Sequence, residues 1–153
     1  LYNLSSECTG ISFTLGFSNE NNIDNQYINN ANNFHSLMLW PNLNGTNLAF
    51  QGGYHYMKIE GKYIDDEGNE HFYNNHTGPT NGVDLSFDQP IFNFSGDGFT
   101  NVASSIYISM NVNNFYNNPI YDFNIFGSSI MANIDAQNNL NQNAGDVFTI
   151  QVN

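Results

Sequence analysis

The side chains in this chain best suited to chemistry are four histidines, His35, His55, His71 and His76, and a single tryptophan, Trp40. Neutral imidazole binds copper or zinc readily, and a set of two or three with a weak extra ligand such as methionine suits copper. The plainer reading of each histidine is a surface or hydrogen-bonded residue, and that of Trp40 a core or rim aromatic beside Phe34 and Met38. Asp65, Asp66, Glu67, Asn69 and Glu70 offer oxygen ligands, but without the spacing of a calcium-binding loop, so a solvated hairpin tip accounts for them better. The turn Ser95-Gly96-Asp97-Gly98 reads the same way. Cys8, the only cysteine, has no internal disulfide partner and reads as a small, at least partly buried side chain. No Gly-x-Ser-x-Gly elbow, phosphate-binding loop or Cys–His pair is present, and Glu60 between Lys58 and Lys62 reads as surface charge balance. The chain is therefore expected to bind and not to catalyse.

The charge of the chain narrows what it binds. Its 153 residues contain two cations, Lys58 and Lys62, against 14 acids, a net charge of −12. Such a field repels phosphate backbones and anionic lipid, which excludes nucleic acid as a partner. A metal cation or a neutral glycan fits it better. Few cations, many asparagines and 15% aromatic residues suit an exported, periplasmic or extracellular protein. No run is apolar enough to span a bilayer.

The elements that would position these residues are mostly strands. Ile11 to Phe17 alternates apolar with small or polar residues, which predicts a strand with Ile11, Phe13, Leu15 and Phe17 buried together. Ser18 to Asn33 predicts a long loop or short helix. Gly52-Gly53 opens a strand from Tyr54 to Ile64, and Asp65–Asn69 turns it into a return strand through His71, Phe72 and Tyr73. That pairing is expected to set His55 and His71 about equally far from the turn, with His76 in a Gly-bounded loop. Further strands are expected at Val83–Phe87, Ile91–Phe94, Ile106–Val112 and Asp146–Val152, and a helical turn at Asn113–Asn118. One late helix is predicted, capped by Ser128 or Ser129, with Ile130, Met131 and Ile134 as its apolar stripe and Gly145 as its stop. The fold expected is mainly β, an antiparallel β-sandwich or open barrel with one late helix, in a single domain over 1–153.

Gly52-Gly53-Tyr54-His55-Tyr56-Met57-Lys58-Ile59-Glu60-Gly61-Lys62 resembles a known block of the MbnP-like family of exported, copper-associated bacterial proteins. Phe13–Phe17, Met38-Leu39-Trp40, His76-Thr77-Gly78, Asn118-Pro119 and Asp146-Val147-Phe148 match other pieces in the family's order. The resemblance implies a β-rich exported protein, in some members binding copper through two histidines and a tryptophan-derived kynurenine, and often encoded beside a dihaem peroxidase-like partner. It also implies further strands before Phe13 than are present here. Trp40 falls on the family's Met-x-Trp position and His76 on its His-x-Gly position. The Trp-x-His spacing of the best-known copper site is replaced by Trp40-Pro41-Asn42. The expectation is a copper site drawing on His35, His55 and His76 with Trp40 as the oxidisable residue. The expectation from a different class is an accessory subunit of a bacterial surface assembly.

Overall fold

The computed structural model describes residues 9–28, 34–88, 92–93 and 105–152. Cys8, the Ser95–Gly98 turn, and Ile91 and Phe94 at the ends of one expected strand lie outside the described residues. Eight strands lie within them: β1 (Gly10–Ile11), β2 (Thr14–Leu15), β3 (Met57–Ile64), β4 (Glu70–Thr77), β5 (Phe87–Asp88), β6 (Phe92–Asn93), β7 (Ile106–Met110) and β8 (Phe148–Val152). They pair β1–β6, β2–β5, β3–β4 and β7–β8, every pair antiparallel, and no closed barrel forms among the described residues. A single helical turn, α1 (Phe123–Phe126), and one longer helix, α2 (Ile134–Asn143), follow late in the chain. The chain is thus mainly β with a late helix, as its sequence predicts.

The β3–β4 hairpin is the longest ladder. Asp65 makes its turn: the carboxylate accepts the Asn69 N–H at 2.7 Å, and the carbonyl accepts the N–H of Gly68, whose φ of +87° is cheap only for glycine. The register then sets Lys58 opposite His76, Glu60 opposite Asn74 and Tyr63 opposite His71. Side chains alternate across the ribbon, with Met57, Ile59 and Tyr63 turned inward and Lys58, Glu60, Lys62 and Ile64 outward. The strand begins at Met57 and not at Tyr54; Tyr54 instead bridges to Leu39, and His55 and Tyr56 are both buried. His71 lies near the turn opposite Tyr63, so it is not the mirror of His55 that the sequence predicts.

Other boundaries shift for physical reasons. Ile11–Phe17 is not one strand: β1 pairs with β6 and β2 with β5, and the four apolar residues are half-buried. Phe13 spans the break by stacking on Phe92 and meeting Phe148 edge-on. Val83 precedes β5 instead of joining it, and the helical turn expected at Asn113–Asn118 is present as a 3-10 helix (Val112–Tyr116) that Val112 opens. The cap of α2 is Asn133, whose side-chain oxygen accepts the Ala136 N–H at 3.0 Å. Ser129 bridges to Asn74 of β4, so Ile130 and Met131 precede the helix, and Gly145 lies within a 3-10 extension (Ala144–Asp146) and does not stop it.

The core gathers where the ladders meet α2: Met57 of β3, Phe87 of β5, Phe115 of the 3-10 helix, and Ala136 and Leu140 of α2 are all buried. Full burial of a side chain such as Leu140 contributes about 1.5–3 kcal/mol. A second aromatic group packs Phe17, Phe34 and Tyr54 with Tyr27 of the asparagine-rich stretch, whose described part is a series of turns. Among the described residues no helix is long and apolar enough to cross a membrane.

Candidate metal centre

Three segments meet at Trp40. The Met38–Trp40 segment runs beside Gly53–His55: Trp40 N–H donates to the Gly53 carbonyl and His55 N–H to the Met38 carbonyl, each at 2.8 Å. Gly52 and Gly53, at φ of +87° and +89°, make the bend that this approach needs. Asp24 and Asn22 hold it from outside, the Asp24 carboxylate accepting the Gly53 N–H and the Asn22 carbonyl accepting the Tyr54 N–H. The third segment is the end of β4, where His76-Thr77-Gly78 passes over the indole. A Cβ on Gly78 would lie 2.3 Å from Trp40 Cε3, so the ring packs directly on that backbone.

Trp40 is only 1% exposed, and its Nε1–H donates to the Ala49 carbonyl at 2.8 Å. The His55 ring meets it edge-on at 5.0 Å between centroids, and the His76 ring meets His55 at 5.2 Å and 83°. Trp40, His55 and His76 are therefore brought together. Phe34, read from sequence as a neighbour of Trp40, belongs instead to the Phe17–Tyr27–Tyr54 group, and Phe50 takes its place.

His55 carries the decisive geometry. Its Nδ1 lies 3.2 Å from the Met38 carbonyl, which can only accept, so Nδ1 bears the proton. Nε2 is then a bare lone pair, buried and without a hydrogen-bond partner among the described residues, in a residue 5% exposed. Desolvation, opposed by the Met38 bond and reinforced by the charges of His76 and Lys58, pushes the His55 pKa down to about 4. The ring is neutral near pH 7. A neutral imidazole oriented by a backbone carbonyl, with its other nitrogen free, is the form in which histidine ligates metals.

His76 stands differently. Its Nε2 is 2.7 Å from Glu60 Oε1, on the outer face of the hairpin. Glu60 is thus a partner of His76, and not of Lys58 and Lys62 as its sequence neighbours suggest. Lys62 pairs with Glu70, and Lys58 reaches the Leu37 carbonyl. The hairpin register, counted from Asp65 and Asn69, is the signal that would have found this contact: it places Glu60 opposite Asn74, diagonal to His76 on the same face.

The remaining candidates lie elsewhere. His35 is exposed and caps the 3-10 turn Ser36–Met38, its Nδ1 accepting the Leu37 N–H at 3.2 Å. His71 pairs with Asp65 at 2.6 Å at the hairpin tip, which, first among several hydrogen bonds, draws the Asp65 pKa down to about 2. Asn42 faces Asp24, to which it donates at 2.9 Å. Among the described residues, no three His, Cys, Asp or Glu side chains gather as a group that could hold a metal ion. The His55–His76 cluster is accordingly a two-imidazole arrangement. The residues present fit a metal that accepts few ligands: one oriented, orphaned nitrogen and one further imidazole beside it.

Comparison with curated proteins and with solved structures finds no match. Comparison with family models does: the MbnP model matches residues 2–144, nearly the whole length. The chain belongs to the MbnP family.

Proposed function

We propose that this protein is an exported copper-binding protein that holds the metal between His55 and His76, against Trp40. The observation that carries this reading is the buried Nε2 of His55, unpartnered among the described residues. An orphaned buried acceptor costs about 1–3 kcal/mol, a cost that a ligand removes. Imidazole nitrogen suits copper, Cu(II) included. Bound there, copper would supply one-electron redox chemistry. The protein's own residues bind, orient and exclude water: the Met38 carbonyl fixes the His55 ring, and the indole closes one side of the site.

A role as substrate of a dihaem peroxidase-like partner rests on the family resemblance alone. Burial of Trp40 and the hydrogen bond on its Nε1 keep an oxidising group from touching the indole. The binding role therefore leads. The other reading, an accessory subunit of a surface assembly, draws support from Phe72, Ile120 and Ile125, which are 68%, 79% and 74% exposed.

Two near-isosteric variants separate these readings. His55→Asn keeps a donor for the Met38 carbonyl and deletes Nε2; His76→Gln keeps a donor for Glu60 and deletes Nδ1. In a chelator-competition titration, each should weaken copper binding at least about 100-fold, with His35→Ala unchanged. Copper affinity equal in all four proteins, or none in the parent, would remove the proposal and leave the assembly reading.

A further inference from the structure

We infer that Glu60 is a positioning residue for the His55–His76 pair, holding the His76 ring so that Nδ1 is the nitrogen presented as a ligand. In its functional consequence this rests on the copper reading above. A carboxylate only accepts hydrogen bonds, so the 2.7 Å contact requires the proton on His76 Nε2, and in the neutral ring that leaves Nδ1 as the lone pair. The bond is charge-assisted and short, on a ring whose side chain is only 13% exposed, while Glu60 reaches in from solvent at 57%. Glu60 and His76 lie on the same face of the hairpin as diagonal neighbours, so the β3–β4 register delivers the pair without any loop to order. The same logic operates on His55, where Met38 plays the acceptor and Nε2 is freed. The two rings are thus oriented by opposite nitrogens, one by a backbone carbonyl and one by an exposed carboxylate. Carboxylate–histidine–metal relays of this type typically alter metal affinity 10–100-fold when the outer partner is lost.

The test uses the full chain in metal-free and copper-loaded forms. In metal-free protein, nitrogen-15 spectra of the imidazoles should show His76 protonated at Nε2, with that N–H protected from solvent exchange. Glu60→Ala should lose the protected resonance and weaken copper binding about 10–100-fold. Glu60→Gln, whose carbonyl oxygen can still accept, should restore the resonance and most of the affinity. The His71 resonance, held by Asp65, serves as an internal control and should persist in both variants. A neutral His76 ring protonated at Nδ1, a protected N–H that survives Glu60→Ala, or carboxylate oxygen bound to copper in the loaded protein would each overturn the inference. Should the parent bind no copper, the functional reading falls, while the tautomer and protection measurements still decide whether Glu60 orients His76.

Discussion

At the scale of single residues, the site is built from what each atom can and cannot donate. His55 is held neutral by burial, and this links it to stability. Its pKa of about 4 lies below the 6.5 of an exposed imidazole, so between these values the unfolded chain takes up a proton that the folded one resists. Its contribution is complete above about pH 6.5 and is lost as the pH falls toward about 4. Denaturation of the metal-free protein across this window should show a steeper loss of stability for the parent than for His55→Asn. Parallel curves would mean that His55 titrates normally. Trp40 makes a second residue-scale claim. Gly78 offers bare backbone to the indole, so Gly78→Ala forces a methyl into the ring; the expected cost is about 1–3 kcal/mol or more, with a red shift of the single tryptophan's emission. An unchanged spectrum and stability would show that the ring can slide.

At the scale of elements, α2 reaches the site through one side chain. Gln137 is wholly buried; its amide donates to Thr80 Oγ1 and to the Ile130 and Met131 carbonyls, and its oxygen accepts the Gly78 N–H at 3.1 Å. The helix thereby fixes the backbone on which Trp40 lies. Gln137→Ala strands these groups and should cost about 2–4 kcal/mol, with tryptophan emission shifting in the folded state. A loss under about 1 kcal/mol would show that water replaces the amide. None of this network is legible in the sequence, because Gln137 at a buried helix position looks like any polar residue. The hairpin was legible: Asp65-Asp66-Glu67-Gly68-Asn69 marks its turn, and the period-two pattern marks its strands. The pairing of His55 with His71 does not form because the register runs outward from Asp65 and Asn69, which sets His71 opposite Tyr63 and leaves His55 beyond the end of the ladder. The helix start failed because Ser128 and Ser129 resemble a cap as much as Asn133 does, and only the bridge to Asn74 decides between them. The break inside Ile11–Phe17 failed because alternation says which face a residue takes but not which partner it finds. Among the site residues, Trp40, His55 and His76 stood out by type and by the family block, whereas Glu60 and Gly78 show their roles only in three dimensions.

At the scale of the whole molecule, a charge of −12 surrounds the His55–His76 pair. The field draws in cations, and salt screens it over about 10 Å at 0.1 M. The rate of copper capture should therefore fall as salt rises, while the number of ligands stays the same. The question that matters most is whether copper is held by His55 and His76. Pulsed electron paramagnetic resonance of protein loaded with Cu(II) answers it directly, since the remote nitrogen of each ligated imidazole modulates the echo. The expected result is two imidazoles in the parent, one in His55→Asn, one in His76→Gln and still two in His35→Ala. Modulation that is absent in the parent, or that survives intact in both His55→Asn and His76→Gln, would contradict it.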